Sequence, residues 1–513
     1  MKSSSRFKKI AIRTAVVIAA IVLLFMLLAG YRIRDRHPGY RVDLTIQSNE
    51  PGPIMAGFAA LSITPVIEDT WNDVDGNSRY EPKKGDTYND NNGNGKFDAY
   101  WLAGFHNRRP ANGIHDSVWA RTVVIDDGTT RIAMISLDAI GLFYDQTIDI
   151  RKRLPADLGI DYCMVASTHV HEAPDLMGIW GESPLKSGIN KAYLEMVVAQ
   201  AVASVEVAVA DLEAVTLRFS IDEDGALPTV KDTRMPIVHD PAIYLMEAVR
   251  ADGATKGTMV SWANHPETLW SGNLLITSDF PHFFRQGIEE AKGGICVYFN
   301  GAIGGLITTH PTVTIVHPHT GEELKEATFA KAEAQGIILT ELSLAAMEQP
   351  FDSLSHGSIE LAAETFTLAF KNRMFRMAAV IGLMERGMRG WFQVATEMAV
   401  IKLGPLSLLT IPGEIYPEIV NGGIEAPEGQ DFELSPVEIP PLRELMPGSF
   451  KMVIGLANDE IGYIIPKSQW DNKAPWLYNS ERATYGEVNS LGPETAPAIH
   501  GKAVELLNRL AGK

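Results

Sequence analysis

The chain has 513 residues, of which 46% are hydrophobic and 21% are charged, a composition typical of a folded protein with a large core. Its 45 basic and 63 acidic residues give a formal net charge of −18. Such a chain lacks the basic surface that neutralises phosphates, so we expect no nucleic-acid partner.

The N-terminus predicts a membrane helix. Five Lys or Arg residues lie within residues 1–13, and residues 14–31 form an uncharged run of 18 residues that three arginines follow. This length suits a transmembrane helix, and the basic residues before it favour an N-terminus in the cytoplasm. We therefore interpret residues 1–36 as a signal anchor, with the rest of the chain on the periplasmic or extracellular side of the membrane. A cleaved signal peptide is the alternative.

The rest of the chain predicts one large α/β domain. Residues 37–54 are polar, contain prolines and predict a stalk, and no repeat or long linker divides residues 55–513. The segments "ARTVVIDDGTTRIAMISLD" and "AIYLMEAVRADGATKGTMVSWANH" each predict two strands around an Asp-Gly turn. Apolar residues at helical spacing predict helices within 190–212, 280–291, 326–348 and 496–512. We therefore expect mixed β-sheets flanked by helices.

Two acidic segments within an insertion at about residues 70–100 indicate calcium. Each places oxygen-bearing side chains at positions 1, 3, 5 and 9 of a calcium-type loop. The residues are Asp73, Asp75, Asn77 and Glu81 in the first loop, and Asp90, Asn92, Asn94 and Asp98 in the second. Neither loop has the bidentate Glu at position 12 of an EF-hand, so a solvated acidic turn is the alternative. We expect at least one structural Ca²⁺.

Two further features allow more than one interpretation. The Met-rich segment 371–392 predicts a core-facing helix with a basic outer stripe, and a helix that lies on the bilayer is the alternative. Cys163 and Cys296 lie in apolar, strand-like runs, which favours buried thiols over a single disulfide.

Several residues at strand ends supply metal-binding chemistry. His169 and His171 close one apolar strand and His265 ends another. Glu414 and Tyr463 follow further strands, and Asp279 begins a helix. Each residue alone has a structural explanation, such as a helix cap or a buried aromatic side chain. Together they supply two or three imidazole nitrogens and a carboxylate from separate strand ends, the donor set of a catalytic zinc with one position open for water.

The order of these motifs resembles the neutral/alkaline (non-lysosomal) ceramidase family, in its N-terminal zinc amidohydrolase domain. The resemblance runs from about residue 55 to residue 500. The motifs that carry it are "AGFAALSITPV", "GIHDSVWARTVVID", "ISLDAIGL", "STHVHEAPD", "NHPETL", "TSDFPHF", "IPGEIY", "ANDEIGYI" and "YGEVNSLGP".

The resemblance implies a zinc-dependent hydrolase of an amide bond in a lipid-like N-acyl substrate. The zinc ligands it implies are His169, His265, Glu414 and Tyr463. His171 would donate a proton or polarise the carbonyl, Tyr463 could also stabilise the oxyanion, and Asp279 would orient a histidine. Zinc lowers the pKa of its bound water to roughly 7, which provides the nucleophile.

One departure from the family weakens the assignment of ceramide as the substrate. The family's Gly-Asp-Val-Ser-Pro, whose serine takes part in catalysis, corresponds here to "NGAIGGLITT", with Ala302 and Gly304 at the Asp and Ser positions. Zinc-activated water, or Thr308 or Thr309 after a shift, remains as a route to hydrolysis. A zinc esterase or other hydrolase of a non-lipid substrate, and a non-catalytic envelope binding protein with the same fold, are the alternatives.

Overall fold

Three five-stranded sheets form the centre of the molecule in the computed structural model, which describes residues 2–47, 50–305 and 307–512. The first sheet has the strand order β8-β7-β6-β3-β9, the second β13-β12-β11-β10-β16 and the third β1-β18-β19-β20-β22. The strands of these sheets are β1 (Asp43–Ile46), β3 (Met55–Ser62), β6 (Trp119–Asp126), β7 (Arg131–Leu137), β8 (Tyr162–Ser167), β9 (Glu213–Ala214), β10 (Thr216–Asp222), β11 (Ile243–Val249), β12 (Thr255–Trp262), β13 (Ile295–Asn300), β16 (Asp352–Leu354), β18 (Ile359–Ala369), β19 (Gln393–Leu403), β20 (Leu406–Thr410) and β22 (Phe450–Ile454).

Short strands form four two-stranded pairs outside these sheets, β2–β17, β4–β5, β14–β15 and β21–β23. Their bounds are β2 (Gly52–Pro53), β4 (Thr70–Asn72), β5 (Thr87–Asn89), β14 (Ile315–Val316), β15 (Glu323–Leu324), β17 (His356–Gly357), β21 (Glu414–Ile415) and β23 (Tyr463–Ile464).

The described part of the chain contains nine α-helices. They are α1 (Lys2–Arg32), α2 (Tyr144–Arg153), α3 (Lys191–Ala210), α4 (Phe280–Lys292), α5 (Phe329–Met347), α6 (Arg373–Ile381), α7 (Pro417–Asn421), α8 (Leu442–Leu445) and α9 (Thr495–Leu510). Single turns of 3₁₀-helix are formed by residues Pro82–Lys84, Ala156–Leu158, Leu227–Thr229, Lys467–Gln469, Leu477–Asn479 and Gly486–Asn489.

The three sheets share one connection pattern. In each sheet an antiparallel hairpin is followed, after a helical crossover, by a strand that adds in parallel. The sequence pairs are β6–β7 then β8, β11–β12 then β13, and β19–β20 then β22. This mixed α/β architecture confirms the predicted fold class, and both predicted Asp-Gly hairpins are present.

A common core lies between the sheets. Phe58, Met164, Phe219, Met259 and Met452 come from all three sheets and belong to a single buried cluster. Helices cover the outer faces, with α3 on the first sheet, α4 and α5 on the second and α9 on the third. Each strand of a sheet alternates its side chains between two faces, so burial of both faces explains the near-continuous apolar runs of the sequence.

Capping side chains fix where the helices begin. The Asn190 side chain accepts hydrogen bonds from the backbone N–H groups of Ala192 and Tyr193 at the start of α3, and Thr328 caps α5 in the same way. These side chains satisfy N–H groups that have no partner inside the helix. The four helices predicted in the folded domain are present as α3, α4, α5 and α9.

The N-terminal helix α1 is apolar and long enough to cross a membrane, and its described side chains are solvent-exposed. Helix α3 also has the necessary length and composition, but it packs on the first sheet and is a core helix. The properties of α1 fit a transmembrane helix or a signal sequence.

Two predictions about local structure need correction. Of the predicted stalk, the described residues 37–47 and 50–54 are not free, because β1 pairs in antiparallel register with β18, Asp43 opposite Glu364; residues 48 and 49 lie outside the described residues. Polar alternation in this segment reflects an edge strand with one exposed face. The segment 371–392 is helical only over α6, which is followed by Gly382 in a left-handed conformation.

Cys163 and Cys296 are buried free thiols, and burial raises the pKa of each to about 12.

Candidate metal centre

His169 is held by the loop that follows β8. Its backbone has φ +67°, a left-handed conformation that is strained for a non-glycine residue and is often found at functional sites. The ring Nδ1 lies 2.6 Å from the carbonyl oxygen of Ile140. Because a carbonyl only accepts, Nδ1 carries the proton and Nε2 keeps its lone pair free for a metal.

His265 follows β12 in the second sheet and has the same orientation device. Its Nδ1 lies 2.7 Å from the carbonyl oxygen of Ile307. Its Nε2 therefore points into the same space, where it lies 3.0 Å from a carboxylate oxygen of Glu414. The same oxygen lies 3.5 Å from Nε2 of His169. Ligand atoms about 2 Å from a tetrahedral zinc are roughly 3.3 Å apart, so these separations fit a shared ion.

Glu414 and Tyr463 come from the short parallel pair β21–β23, in which they lie directly opposite each other. The Tyr463 hydroxyl lies near the Glu414 carboxylate and helps to lower the pKa of that carboxylate. Burial raises the pKa of Glu414, but His169, His265 and Tyr463 together outweigh burial and leave that pKa below its usual value. Burial raises the pKa of Tyr463, which keeps its hydroxyl protonated. Glu414 thus brings a negative charge to the two imidazoles.

His171 lies beside these residues with an unengaged ring. Its centroid is 5.0 Å from that of His169 and 5.9 Å from that of His265, and one nitrogen from each of the three rings falls within a 4.8 Å group. Among the described residues neither nitrogen of His171 has a hydrogen-bond partner. Burial and the neighbouring rings hold its pKa well below the usual value, so the ring is neutral at pH 7.

Gly104 makes room for the His171 ring. Its φ of +98° is a conformation that favours glycine, and a Cβ at this position would lie 2.3 Å from Nδ1 of His171. On the other side, the ring packs edge-on against Phe105 at 4.9 Å. The ring position therefore depends on the absence of a side chain at residue 104.

Two buried carboxylates beside His171 were missed in the sequence. Glu267 lies 3.1 Å from Nδ1 of His171, although the two groups are not aligned for a hydrogen bond. Glu172 is fully buried, and its carboxylate oxygens have no described partner. Burial raises the pKa of Glu267 to about 7 and that of Glu172 well above its usual value, while the guanidinium of Arg109 opposes the latter shift. The visible signal was a Glu one or two residues after a histidine, in "VHEAP" and in "HPETL".

Asp279 is buried at the start of α4 rather than at the metal. Its carboxylate accepts hydrogen bonds from the backbone N–H groups of Phe280 and Leu269. Burial raises its pKa to about 6. The described hydrogen bonds of Asp279 thus hold the loop after His265, and they include none to a histidine ring. Asp279 was predicted to orient a histidine, and the structure shows instead that it positions the loop after His265.

The segment after β13 explains why the family's serine has no counterpart. A Cβ on Gly304 would lie 2.5 Å from the carbonyl oxygen of Glu414, so residue 304 has no space for a side chain. Thr309 is engaged with Asn264 and Gln335 through its hydroxyl. Thr308 instead lies against the Glu267 carboxylate at the edge of the metal site.

Two cavities meet at the histidines. The first is apolar and is lined by Phe143, Met177, Trp180, Phe370, Phe375 and Met384 before it reaches His169 and Glu414. The second is lined by aromatic rings and hydrogen-bonding side chains, with Arg79, His106, Trp270 and His310 around His265 and Glu267. His171, Tyr463 and Tyr485 line both. An extended molecule bound across the site would therefore have an apolar part on one side and a polar part on the other.

The acidic loops are ordered by their own side chains. Asp73 accepts hydrogen bonds from the N–H groups of Asn77 and Ser78 in the first loop, and Asp90 accepts from those of Asn94 and Gly95 in the second. Three carboxylates of the first loop, Asp73, Asp75 and Asp86, lie close enough to share a cation. Asp86 is outside the 1-3-5-9 series and was not predicted.

Comparison with known proteins identifies the fold. No family model and no curated protein matches the chain. A solved ceramidase, described as complexed with C2, is similar with a TM-score of 0.64 and 15% identity, over 90% of this chain and 75% of that one. The neutral ceramidase from Pseudomonas aeruginosa is similar with a TM-score of 0.62 and 16% identity, over the same shares of the two chains. This chain therefore has the fold of the neutral ceramidases, as the motif order predicted.

Proposed function

We propose that this protein is a zinc-dependent hydrolase that cleaves an amide bond in a lipid-like N-acyl substrate. The observation that carries the proposal is the convergence of His169, His265, Glu414 and Tyr463, from two separate sheets and a short strand pair, beside the free ring of His171. The ceramidase fold supports the reaction class. The apolar cavity supports an acyl chain as the group on one side of the scissile bond.

The donor set suits zinc. Two imidazole nitrogens, one carboxylate and a phenol oxygen offer four donor atoms to zinc, and the carbonyls of Ile140 and Ile307 orient both imidazoles. When bound, zinc would polarise a carbonyl group and lower the pKa of water.

The residues around the site have separable tasks in this proposal. The neutral ring of His171 would donate a hydrogen bond to the carbonyl oxygen of the substrate, where negative charge develops. Glu267 lies beside that ring and would accept a proton, a task that no side chain at residue 304 can perform. The apolar cavity would hold the acyl chain and exclude water from the amide.

The membrane anchor belongs to the same proposal. Helix α1 would cross the bilayer with the N-terminus in the cytoplasm and the catalytic domain on the periplasmic or extracellular side. An N-acyl lipid in that outer surface would then lie close to the enzyme. A reporter enzyme that is active only in the cytoplasm, fused to the N-terminus, is expected to be active.

A hydrolysis screen tests the proposed function. The full chain in detergent is incubated with long-chain and short-chain acyl amides and with the corresponding esters, with and without a zinc chelator. We expect cleavage of long-chain amides that the chelator abolishes and zinc restores. His169→Ala is expected to lose it, and His319→Ala, a surface histidine bonded to Glu341, is the matched control. Cleavage that survives chelation contradicts the proposal.

A zinc esterase with a non-lipid substrate is the second candidate. The cavity around Trp270 and His310 favours it, because Arg79, His106 and Thr308 there can offer hydrogen bonds to a polar substrate. The same screen separates the two. Faster hydrolysis of soluble esters than of long-chain amides would select the esterase.

A further inference from the structure

The segment 371–392 is bound to the end of the N-terminal helix. The Arg32 guanidinium donates to the carbonyl oxygens of Val380, at 3.5 Å, and of Ile381, at the end of α6. The backbone N–H of Met388 donates to the carbonyl of Ile33 at 3.1 Å. The uncharged run 14–31 spans about 27 Å as a helix, close to the hydrocarbon thickness of a bilayer. If α1 crosses a membrane, its last turn and α6 lie at the membrane surface.

Helix α6 has two apolar faces. Phe375 and Ala378, three residues apart, pack on the wall of the apolar cavity, and Phe375 lines the cavity itself. Met374 and Met377 have the same spacing on an adjacent face, about 100° around the helix axis, and are 58% and 57% exposed. A helix of a water-soluble surface has polar residues on that side, so the exposed methionines need another neighbour.

The exposed apolar surface continues beyond α6 and carries positive charge. Trp391 is 83% exposed at the end of the same segment. Lys371 and Arg373 are exposed at its start, and the Lys371 ammonium also lies 3.9 Å from the Glu494 carboxylate. Aromatic residues and basic side chains around an apolar surface are typical of segments that lie in the headgroup layer of an anionic membrane.

We propose that residues 371–392, with Met374, Met377 and Trp391 in contact with the bilayer, form a membrane-bound entrance through which an acyl chain passes into the apolar cavity. This inference rests on the proposed function and deepens it. The substrate is a lipid held in the same membrane as α1, and the chain passes between the lipid-facing and cavity-facing sides of α6. The partner surface is an anionic lipid bilayer.

Fluorescence tests the membrane contact without any measurement of hydrolysis. The full chain is reconstituted into vesicles of phosphatidylcholine and phosphatidylglycerol, and Met377→Cys is labelled with an environment-sensitive dye. The two native thiols are buried and have a raised pKa, so they react little. Val316→Cys is the matched control, since Val316 is 53% exposed on the β14–β15 hairpin that packs with α5.

We expect a blue-shifted emission at residue 377 that lipid-attached quenchers reduce, and neither effect at residue 316. Identical emission at the two sites would overturn the inference, whatever reaction the protein catalyses. A result of this kind would leave the proposed function intact, because the hydrolysis screen is run in detergent with the unlabelled protein.

A charge substitution tests substrate entry. The double variant Met374→Glu, Met377→Glu is expected to slow hydrolysis of a long-chain acyl amide in vesicles by about tenfold or more, and to leave hydrolysis of a soluble short-chain acyl amide unchanged. Val316→Glu is expected to change neither rate. An unchanged rate in vesicles, or an equal loss on both substrates in a variant with the wild-type circular dichroism spectrum, would overturn the inference.

Discussion

Gly104→Ala tests the role assigned to His171. The new Cβ would lie 2.3 Å from Nδ1 and 2.4 Å from Cγ of His171. Carbon atoms in favourable contact are about 3.5–4.0 Å apart, so the ring has to move by roughly 1 Å or more. A hydrogen bond from His171 to a substrate carbonyl does not tolerate this displacement. Loss of one such donor lowers kcat by about 10²–10³.

The same substitution also strains the backbone, and a control separates the two effects. Alanine at a left-handed position costs about 1–2 kcal/mol, and Gly104 has φ +98°. Gly253 has φ +88° in a hairpin turn with open space around it, so Gly253→Ala introduces the strain alone. We measure kcat on a long-chain acyl amide, zinc content and Tm for both variants. Full activity in Gly104→Ala, or an equal loss in the two variants, refutes the role of His171.

Three further predictions concern the surroundings of the site. Gly304→Ser is expected to lower stability by about 1–3 kcal/mol in chemical denaturation and not to raise kcat, because its Cβ lies 2.5 Å from the Glu414 carbonyl; higher activity contradicts this. Burial raises the pKa of Asp232 to about 7, so the native state binds the proton more tightly than the unfolded state. The free energy of unfolding is therefore expected to fall as pH rises from about 4 to about 7, by about 1.4 kcal/mol for each pH unit between the unfolded and folded pKa values of Asp232. If the free energies of unfolding of wild type and Asp232→Asn change in parallel over this pH range, this prediction is wrong. Ca²⁺ is expected to raise Tm in wild type and not in Asp86→Ala, because Asp73, Asp75 and Asp86 would share the ion; an equal rise with Mg²⁺, or none in wild type, contradicts it.

Local patterns predicted the elements of the fold well. The Asp-Gly turns predicted both hairpins. In the first, a short turn places Asp126 opposite Arg131 and so sets the register of β6 and β7. The 3.6-residue spacing of apolar side chains located α3, α4, α5 and α9, because this spacing is also a local pattern in the sequence. The sequence did not reveal that three sheets repeat one connection pattern around a shared core, because sheet pairing depends on contacts between distant residues. Strand β1 was missed because an exposed edge strand has the polarity of a linker.

In the site, too, the sequence revealed the residue types but not which side chains are buried or close together. The His-x-His pair and the other residues at strand ends were visible as donor types, and the structure brings His169, His171, His265, Glu414 and Tyr463 together. Glu172 and Glu267 were overlooked because a Glu in a sequence is normally exposed, and only the fold reveals that both are buried beside His171. Asp279 was predicted to orient a histidine, but its described side-chain hydrogen bonds are those of a helix cap and of the loop after His265.

The metal content of the purified protein tests the central claim most directly. The full chain is purified without added metal and analysed by inductively coupled plasma mass spectrometry, together with His169→Ala, His265→Ala and the surface control His319→Ala. We predict close to one zinc per chain in the wild type and in the control, and its loss in both site variants. Wild-type protein without a bound transition metal after incubation with zinc, or equal zinc in all four proteins, would contradict a metal centre formed by these histidines.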